Sequence, residues 1–327
     1  MNPGNDTGVR VQQFTIIGFD HLSHQKLLGC LILMSYSLTL LGSGTNICLI
    51  LTERRLHRPM YILICNLALV DIVFTTCAST TMISVLLAEM KTISYYSCFS
   101  RMYAFHVGDI TTCLALSLMA VDRLVAISLP LRYHSILTNS RIFMLIALTW
   151  LIAICVMIPL GLIIVNLPYC QPTIRYVYCD YPAMVRAACA DPEPSFRTPT
   201  IIGVWVLCGQ LPFVFLTYVK IAYTVLKLPN KESQRQMIET CTSHVIAVAC
   251  YFVPKVVSML LTRIGVKLNL TERNSVVIVS STVPSLLNPI VYCLRTKEIR
   301  MQLLKILSNL MARKESPSVR TKKQYFT

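Results

Sequence analysis

Residues 119–133 read Met-Ala-Val-Asp-Arg-Leu-Val-Ala-Ile-Ser-Leu-Pro-Leu-Arg-Tyr, and the meaning of the acid–base pair Asp122-Arg123 within them decides the fold. Adjacent charges are costly inside hydrocarbon and ordinary at its edge. Upstream, residues 99–121 are predominantly apolar and about as long as the ~20 residues that cross a bilayer. The pair therefore reads as the end of a membrane span, followed by a turn at Pro130.

Working outward, the same pattern recurs along the chain. The 327 residues are 54% hydrophobic and 14% charged, with a mean hydropathy of +0.60, against about 25% charged in a soluble domain. Apolar stretches near 27–52, 60–88, 99–121, 142–165, 199–222, 242–262 and 274–294 give seven spans. The fold class is thus an all-α membrane protein, a seven-transmembrane helix bundle. We divide the chain into an extracellular segment 1–26, the bundle 27–295 and a cytoplasmic segment 296–327. No fixed-period repeat is present, and residues 1–26 lack the short apolar core of a cleavable signal peptide.

The net charge of +15 would suit nucleic acid, but its distribution points to membrane lipid instead. With the amino terminus outside, 19 of the 30 Lys and Arg residues fall on the inner side, as the positive-inside rule requires. The predicted topology is multi-pass with the amino terminus extracellular and the carboxyl terminus cytoplasmic. The glycosylation sequons at Asn5 and Asn269 then both lie outside. The basic tail (Arg313, Lys314, Arg320, Lys322, Lys323) suits the anionic inner leaflet. Of 14 cysteines, Cys98, Cys170, Cys179 and Cys189 fall outside, which implies two disulfides. Four cysteines allow three pairings, and periodicity does not choose among them.

Polar residues within the spans are the candidate functional groups, since each must be solvated or paired. Asn46, Asp71 and Asn288 lie at comparable depth and form an expected polar centre. In the third span Phe105, Asp109 and Thr112 share a face that Arg101 extends outward. Asp109 is about 13 Å from the outer end by helical rise. His244 enters the membrane one turn into the sixth span, after a short basic linker from Lys227 to Gln236. Pro254 beside Tyr251 and Phe252, and Pro284 and Pro289 in the seventh span, are candidate bends. Beyond Arg295, Ile299, Leu303 and Leu307 form the apolar face of a short amphipathic helix.

Leu56-His57-Arg58-Pro59-Met60-Tyr61, Met119 to Ile127, Pro130-Leu131-Arg132-Tyr133, Thr240-Cys241-Thr242-Ser243-His244 and Pro284 followed by Asn288-Pro289-Ile290-Val291-Tyr292 resemble the vertebrate odorant receptors, within the rhodopsin-like G-protein-coupled receptors. The resemblance implies disulfides Cys98–Cys179 and Cys170–Cys189. It implies that Asp122 and Arg123 face a stimulatory, cyclase-activating heterotrimeric G protein, with Tyr218, His244, Asn288, Pro289 and Tyr292 as switch residues. It also implies a small-molecule odorant as ligand and no enzyme activity. Phe105, His106, Asp109, Thr112, Tyr251 and Phe252, with the loop near Asp180, are the pocket that family and helix facing together predict.

Three departures qualify this. Val121 and Leu124 flank the pair where the family usually has Tyr. Thr112 stands where Glu is usual, and Asp109 where Gly is common, so the carboxylate has moved a turn toward the pocket. That shift argues against a sodium ion at Asp71; no other cofactor and no metal are implied. It motivates Asp109 as counter-ion of a cationic odorant, set against an internal pair with Arg101 or with a group on another helix. The rival functions are a rhodopsin-like receptor for a non-odorant ligand such as an amine, and a secondary transporter. The transporter would need paired repeats. An intramembrane enzyme would need a nucleophile–base pair or metal ligands at matching depth, whereas His106 and His244 sit near opposite ends of their spans and no His-Glu-x-x-His is present.

Overall fold

The computed structural model describes residues 11–20, 22–263, 269–295, 299–305 and 308. Among them are seven helices, one interrupted, long and apolar enough to cross a membrane. These are α1 (Gln25–Thr52), α2 (Pro59–Leu86), α3 (Tyr95–Ser128), α5 (Asn139–Asn166), the fifth span built from α7 (Pro192–Val204) and α8 (Leu211–Leu226), α9 (Lys231–Arg263) and α10 (Leu270–Arg295). Two short helices, α4 (Tyr133–Ile136) and α6 (Tyr181–Ala187), lie between spans.

Local chemistry explains where the helices begin. Pro59 opens α2 at a position where its missing N–H costs nothing. Side-chain oxygens of Ser94, Thr138, Asp180 and Asp191 accept from first-turn N–H groups of α3, α5, α6 and α7. Asn269 and Glu272 cap α10 reciprocally, at 2.8 Å and 3.0 Å. Inside the spans, hydroxyls that would otherwise meet hydrocarbon bond back to their own helix, as Thr75 does to Asp71 O and Thr80 to Thr76 O.

Three helices run further than composition suggested. α3 spans 34 residues, about 51 Å, so Asp122-Arg123 lies within the helix rather than at its end. Asp109 is accordingly 14 residues into it, about 21 Å instead of 13 Å. The segment read as a basic linker is helical from Lys231, and the fifth span begins at Pro192. In each case the helix continues past charged or polar residues at the edge of the apolar window, which hydropathy alone cannot register.

α3 sits centrally, packing on α2, α5, α8 and α9. One core gathers Met82, Met102, Phe105, Met157 and Met184 toward the disulfide end. A second gathers Leu63, Leu67, Leu116, Phe252 and Tyr292 toward the Arg123 end, and Ile299 joins it, fully buried. Residues 299–305 are helical; Leu307 lies outside the described residues, as do Asn5 and the basic tail. Large apolar side chains such as Leu41, Phe143, Leu162 and Phe215 point outward, where lipid would cover them.

A three-stranded sheet, absent from the sequence reading, closes the disulfide end. β1 (Gln13–Ile16) runs antiparallel to β2 (Thr92–Ser94), with Phe14 opposite Ile93, and parallel to β3 (Thr173–Ile174), with Ile16 opposite Ile174. Phe14 is fully buried and meets Tyr169 edge-on at 5.4 Å. At Gly18 a Cβ would lie 2.8 Å from the Val177 backbone nitrogen, so only glycine lets the strand's exit pass beneath the loop.

Candidate functional site

Two polar regions lie along α3. The first is centred on Asp109, whose two carboxylate oxygens accept from Lys255 Nζ at 2.7 Å and 2.8 Å. Lys255 belongs to α9, immediately after Pro254, and its ammonium lies 4.6 Å from the centre of the Tyr251 ring. The Tyr251 hydroxyl donates to the backbone oxygen of Asp109 at 2.9 Å. Asp109 and Lys255 retain 23% and 28% side-chain exposure in mid-helix, so open space reaches them.

Of the two readings of Asp109, counter-ion of a cationic ligand or internal pair, the structure shows an internal pair with a group on another helix. Arg101, the alternative internal partner, turns instead to Thr80 and Thr81 on α2 at 2.9 Å and 2.8 Å. Lys255 was missed because one lysine in an apolar helix gives no periodic signal. Its position next to a proline, facing an otherwise unpartnered intramembrane acid, was the available clue.

The remaining expected pocket residues divide. His106 meets Asp180 at 2.9 Å, and the same Asp180 oxygen caps α6, so α3 is tied to the loop above it. Phe105 stacks on Phe74 at 4.3 Å and leans on Tyr178 at 5.0 Å. Thr112 bonds to Gly108 O of its own helix, and both Thr112 and Phe252 are buried. Asp109, Tyr251 and Lys255 therefore form the polar focus, with His106 and Asp180 toward the disulfide end. The Sγ atoms of Cys98 and Cys179 are bonded, as are those of Cys170 and Cys189. The first bridge pins the segment carrying Asp180 to the first turn of α3, and the second closes the loop around that segment.

The second region is Asp122-Arg123. An Arg123 nitrogen lies 3.1 Å from Asp122 Oδ2, and the Asp122 side chain is 1% exposed. The Tyr133 hydroxyl of α4 donates to Asp122 Oδ1 at 2.7 Å. Burial, then the Asp122 charge and the bond it accepts, hold that hydroxyl above the ordinary tyrosine range, so it keeps its proton and remains a donor. Nearby, the Tyr218 hydroxyl hydrogen-bonds His244 Nδ1, with the two rings stacked 5.7 Å apart. Ser117 of α3 donates to Gln210 at 2.8 Å.

Of the expected polar centre, Asp71 and Asn288 are in direct contact. Asn288 Nδ2 donates to both oxygens of Asp71 at 3.2 Å and 3.1 Å. The Asn46 Oδ1 accepts from Cys293 Sγ, on the same helix as Asn288, at 3.0 Å. Pro289 touches α1 elsewhere, since a Cβ on Gly42 would lie 2.9 Å from Pro289 Cβ. Tyr292 points its hydroxyl at the sulfur of Met119, 4.0 Å away. Among the described residues, no three His, Cys, Asp or Glu side chains converge as metal ligands.

Seven spans, a third helix bridged to the following loop, an Asp-Arg pair near the other end of that helix and Asn288-Pro289 in the seventh define a G-protein-coupled receptor, a multi-pass protein of the plasma membrane. The chain belongs to the olfactory receptor family, whose sequence model matches residues 30–310. It is 35% identical to Olfactory receptor 10G4 of Homo sapiens over 301 residues, 90% of this chain and 95% of that one. It is 30% identical to Olfactory receptor 2A7 of Mus musculus, covering 91% and 96%, and 30% identical to Olfactory receptor 52K1 of Homo sapiens, covering 94% and 98%.

Proposed function

We propose that this receptor takes a small organic odorant from outside the cell into the cleft at Asp109 and Lys255, and answers by presenting Arg123 to a stimulatory, cyclase-activating G protein. The disulfide end then faces outward, supported by the excess of Lys and Arg on the opposite side and by the exposed sequon residue Asn269. The observation that carries the reading is the Asp109–Lys255 pair, a charged bond between α3 and α9 with accessible surface beside it.

A ligand moves a conformational balance only through its different affinity for the two states. An odorant whose polar group accepts from Lys255 or donates to Asp109 competes with that bond and loosens α9 from α3. Pro254, one residue before Lys255, removes a backbone hydrogen bond at the point where α9 would turn. About three turns toward its beginning, the same helix carries His244 and its link to Tyr218, next to the Arg123 region. Odorants bearing both a donor and an acceptor fit the paired charges, and the non-odorant amine reading is weakened because Asp109 already has a cation. The reading calls on no cofactor.

Cyclic AMP in cells displaying the receptor, measured across alcohols, aldehydes, acids and amines, tests it. Activation by polar neutral or acidic odorants, lost in Lys255→Gln at equal surface level, is expected. No response across the panel, or activation by amines alone, would count against it.

A further inference from the structure

Three arginines that have no acidic partner among the described residues gather at the disulfide end, among residues distinct from the Asp109 cleft. Arg175 follows β3, Arg186 lies in α6 and Arg273 in the first turn of α10. With Gln171, Thr173, Tyr176 and two alanines of α6 they line a cavity of about 490 Å³. That is within the size range of small-molecule sites, about 300–1,000 Å³.

The Tyr176 ring organises the charges. The Arg273 guanidinium carbon is 4.1 Å from its centre and that of Arg186 5.7 Å, so the two lie within about 10 Å of each other, no more than a Debye length at 0.1 M salt. Arg186 also donates to the Tyr176 hydroxyl and stands 5.4 Å from the centre of the Phe196 ring. Aromatic faces orient a guanidinium but leave it charged. Among the described residues, the ion pairs include none of the three arginines, and the buried Nε of Arg273 has no hydrogen-bond partner. Burial, then repulsion from Arg273, lowers the affinity of Arg186 for its proton.

We propose that this cavity is a second ligand site, taking a small organic anion whose carboxylate is clamped between Arg186 and Arg273. A guanidinium presents parallel N–H groups that match a carboxylate edge. The anion relieves the repulsion between the two cations. Because one arginine is on the loop and the other on the seventh span, the bound anion ties α6 to α10. A phosphate monoester shares the fork chemistry but brings a second charge, and the choice of probes separates the two.

The test uses the purified full chain in lipid nanodiscs, with sodium benzoate as probe and sodium chloride at equal ionic strength as reference. Benzoate at about 10 mM is expected to raise the unfolding temperature by mass action and to give a saturation-transfer NMR signal. Benzyl alcohol is expected to do neither, and inorganic phosphate to protect less than benzoate. Arg273→Gln and Arg186→Gln should each weaken benzoate affinity about tenfold or more. Arg186 is exposed on the loop, so its variant carries the test should Arg273→Gln fail to fold. Equal protection by benzyl alcohol, equal protection by phosphate, or undiminished benzoate binding in the variants would overturn the proposal.

Discussion

The ammonium of Lys255 stands 2.7 Å from one carboxylate oxygen of Asp109 and 2.8 Å from the other, joining the middle of α3 to the residue after the proline of α9. Removing either partner leaves an unpaired charge in a partly buried site. In a double-mutant cycle of Asp109→Asn and Lys255→Gln, contacting residues of this kind show coupling of about 0.5–3 kcal/mol. Thermal unfolding of the four proteins measures it, with each single variant less stable than additivity with the double variant allows. Coupling near zero would mean that the contact does not hold the two helices together.

Tyr133→Phe deletes the hydrogen bond to Asp122 without changing shape. Bonds to charged groups contribute about 1.5–3 kcal/mol, and this one holds Asp122 where it pairs with Arg123. Ligand-free cyclic AMP should rise several-fold at equal surface level, and further in Asp122→Asn. Basal signalling identical to the parent would separate α4 from the switch.

The two disulfides should differ in consequence. Cys98–Cys179 closes a sequence separation of 81 residues and Cys170–Cys189 one of 19, which chain-entropy reasoning values at about 4.5 and about 3 kcal/mol. Cys98→Ser should abolish surface delivery in flow cytometry, while Cys170→Ser lowers it partially. A Cys98→Ser protein reaching the surface at parental levels would refute this order.

Gly42 and Gly44 offer a paired contrast one half-turn apart. A Cβ at Gly42 would press on Pro289, whereas at Gly44 it meets nothing within 4 Å. Gly42→Leu should destabilise by about 1–3 kcal/mol through overpacking, and Gly44→Leu should be nearly silent. Comparable losses of thermal stability in both variants would contradict the close approach of α1 and α10.

The seven spans and the Asp122-Arg123 pair were legible because hydrocarbon imposes length and composition on any helix that crosses it. Helix ends were less so: Lys231 to Glu239 is helical yet polar, and nothing in its hydropathy separates it from a linker. Partners across the bundle were least accessible. Arg101 and Asp109 share a face of α3, yet one is drawn to Thr80 and Thr81 on α2 and the other to Lys255 on α9, a division that depends on which helix stands opposite each turn. Asn46 lies near Asp71 in predicted depth but bonds Cys293, because equal depth does not fix rotation about the helix axis.

The fifth span contains a π-helical turn at Trp205–Gln210, between α7 and α8. Such a turn holds one residue more than the α-helical path, and each residue carries about 100° of rotation. The span is thus two rods spliced out of phase, with Gln210 at the splice held to Ser117 on α3. Side chains ahead of the splice can be exchanged, or their register altered, without turning Tyr218 away from His244. The first rod carries Phe196 beside Arg186, and the second carries Tyr218 against His244.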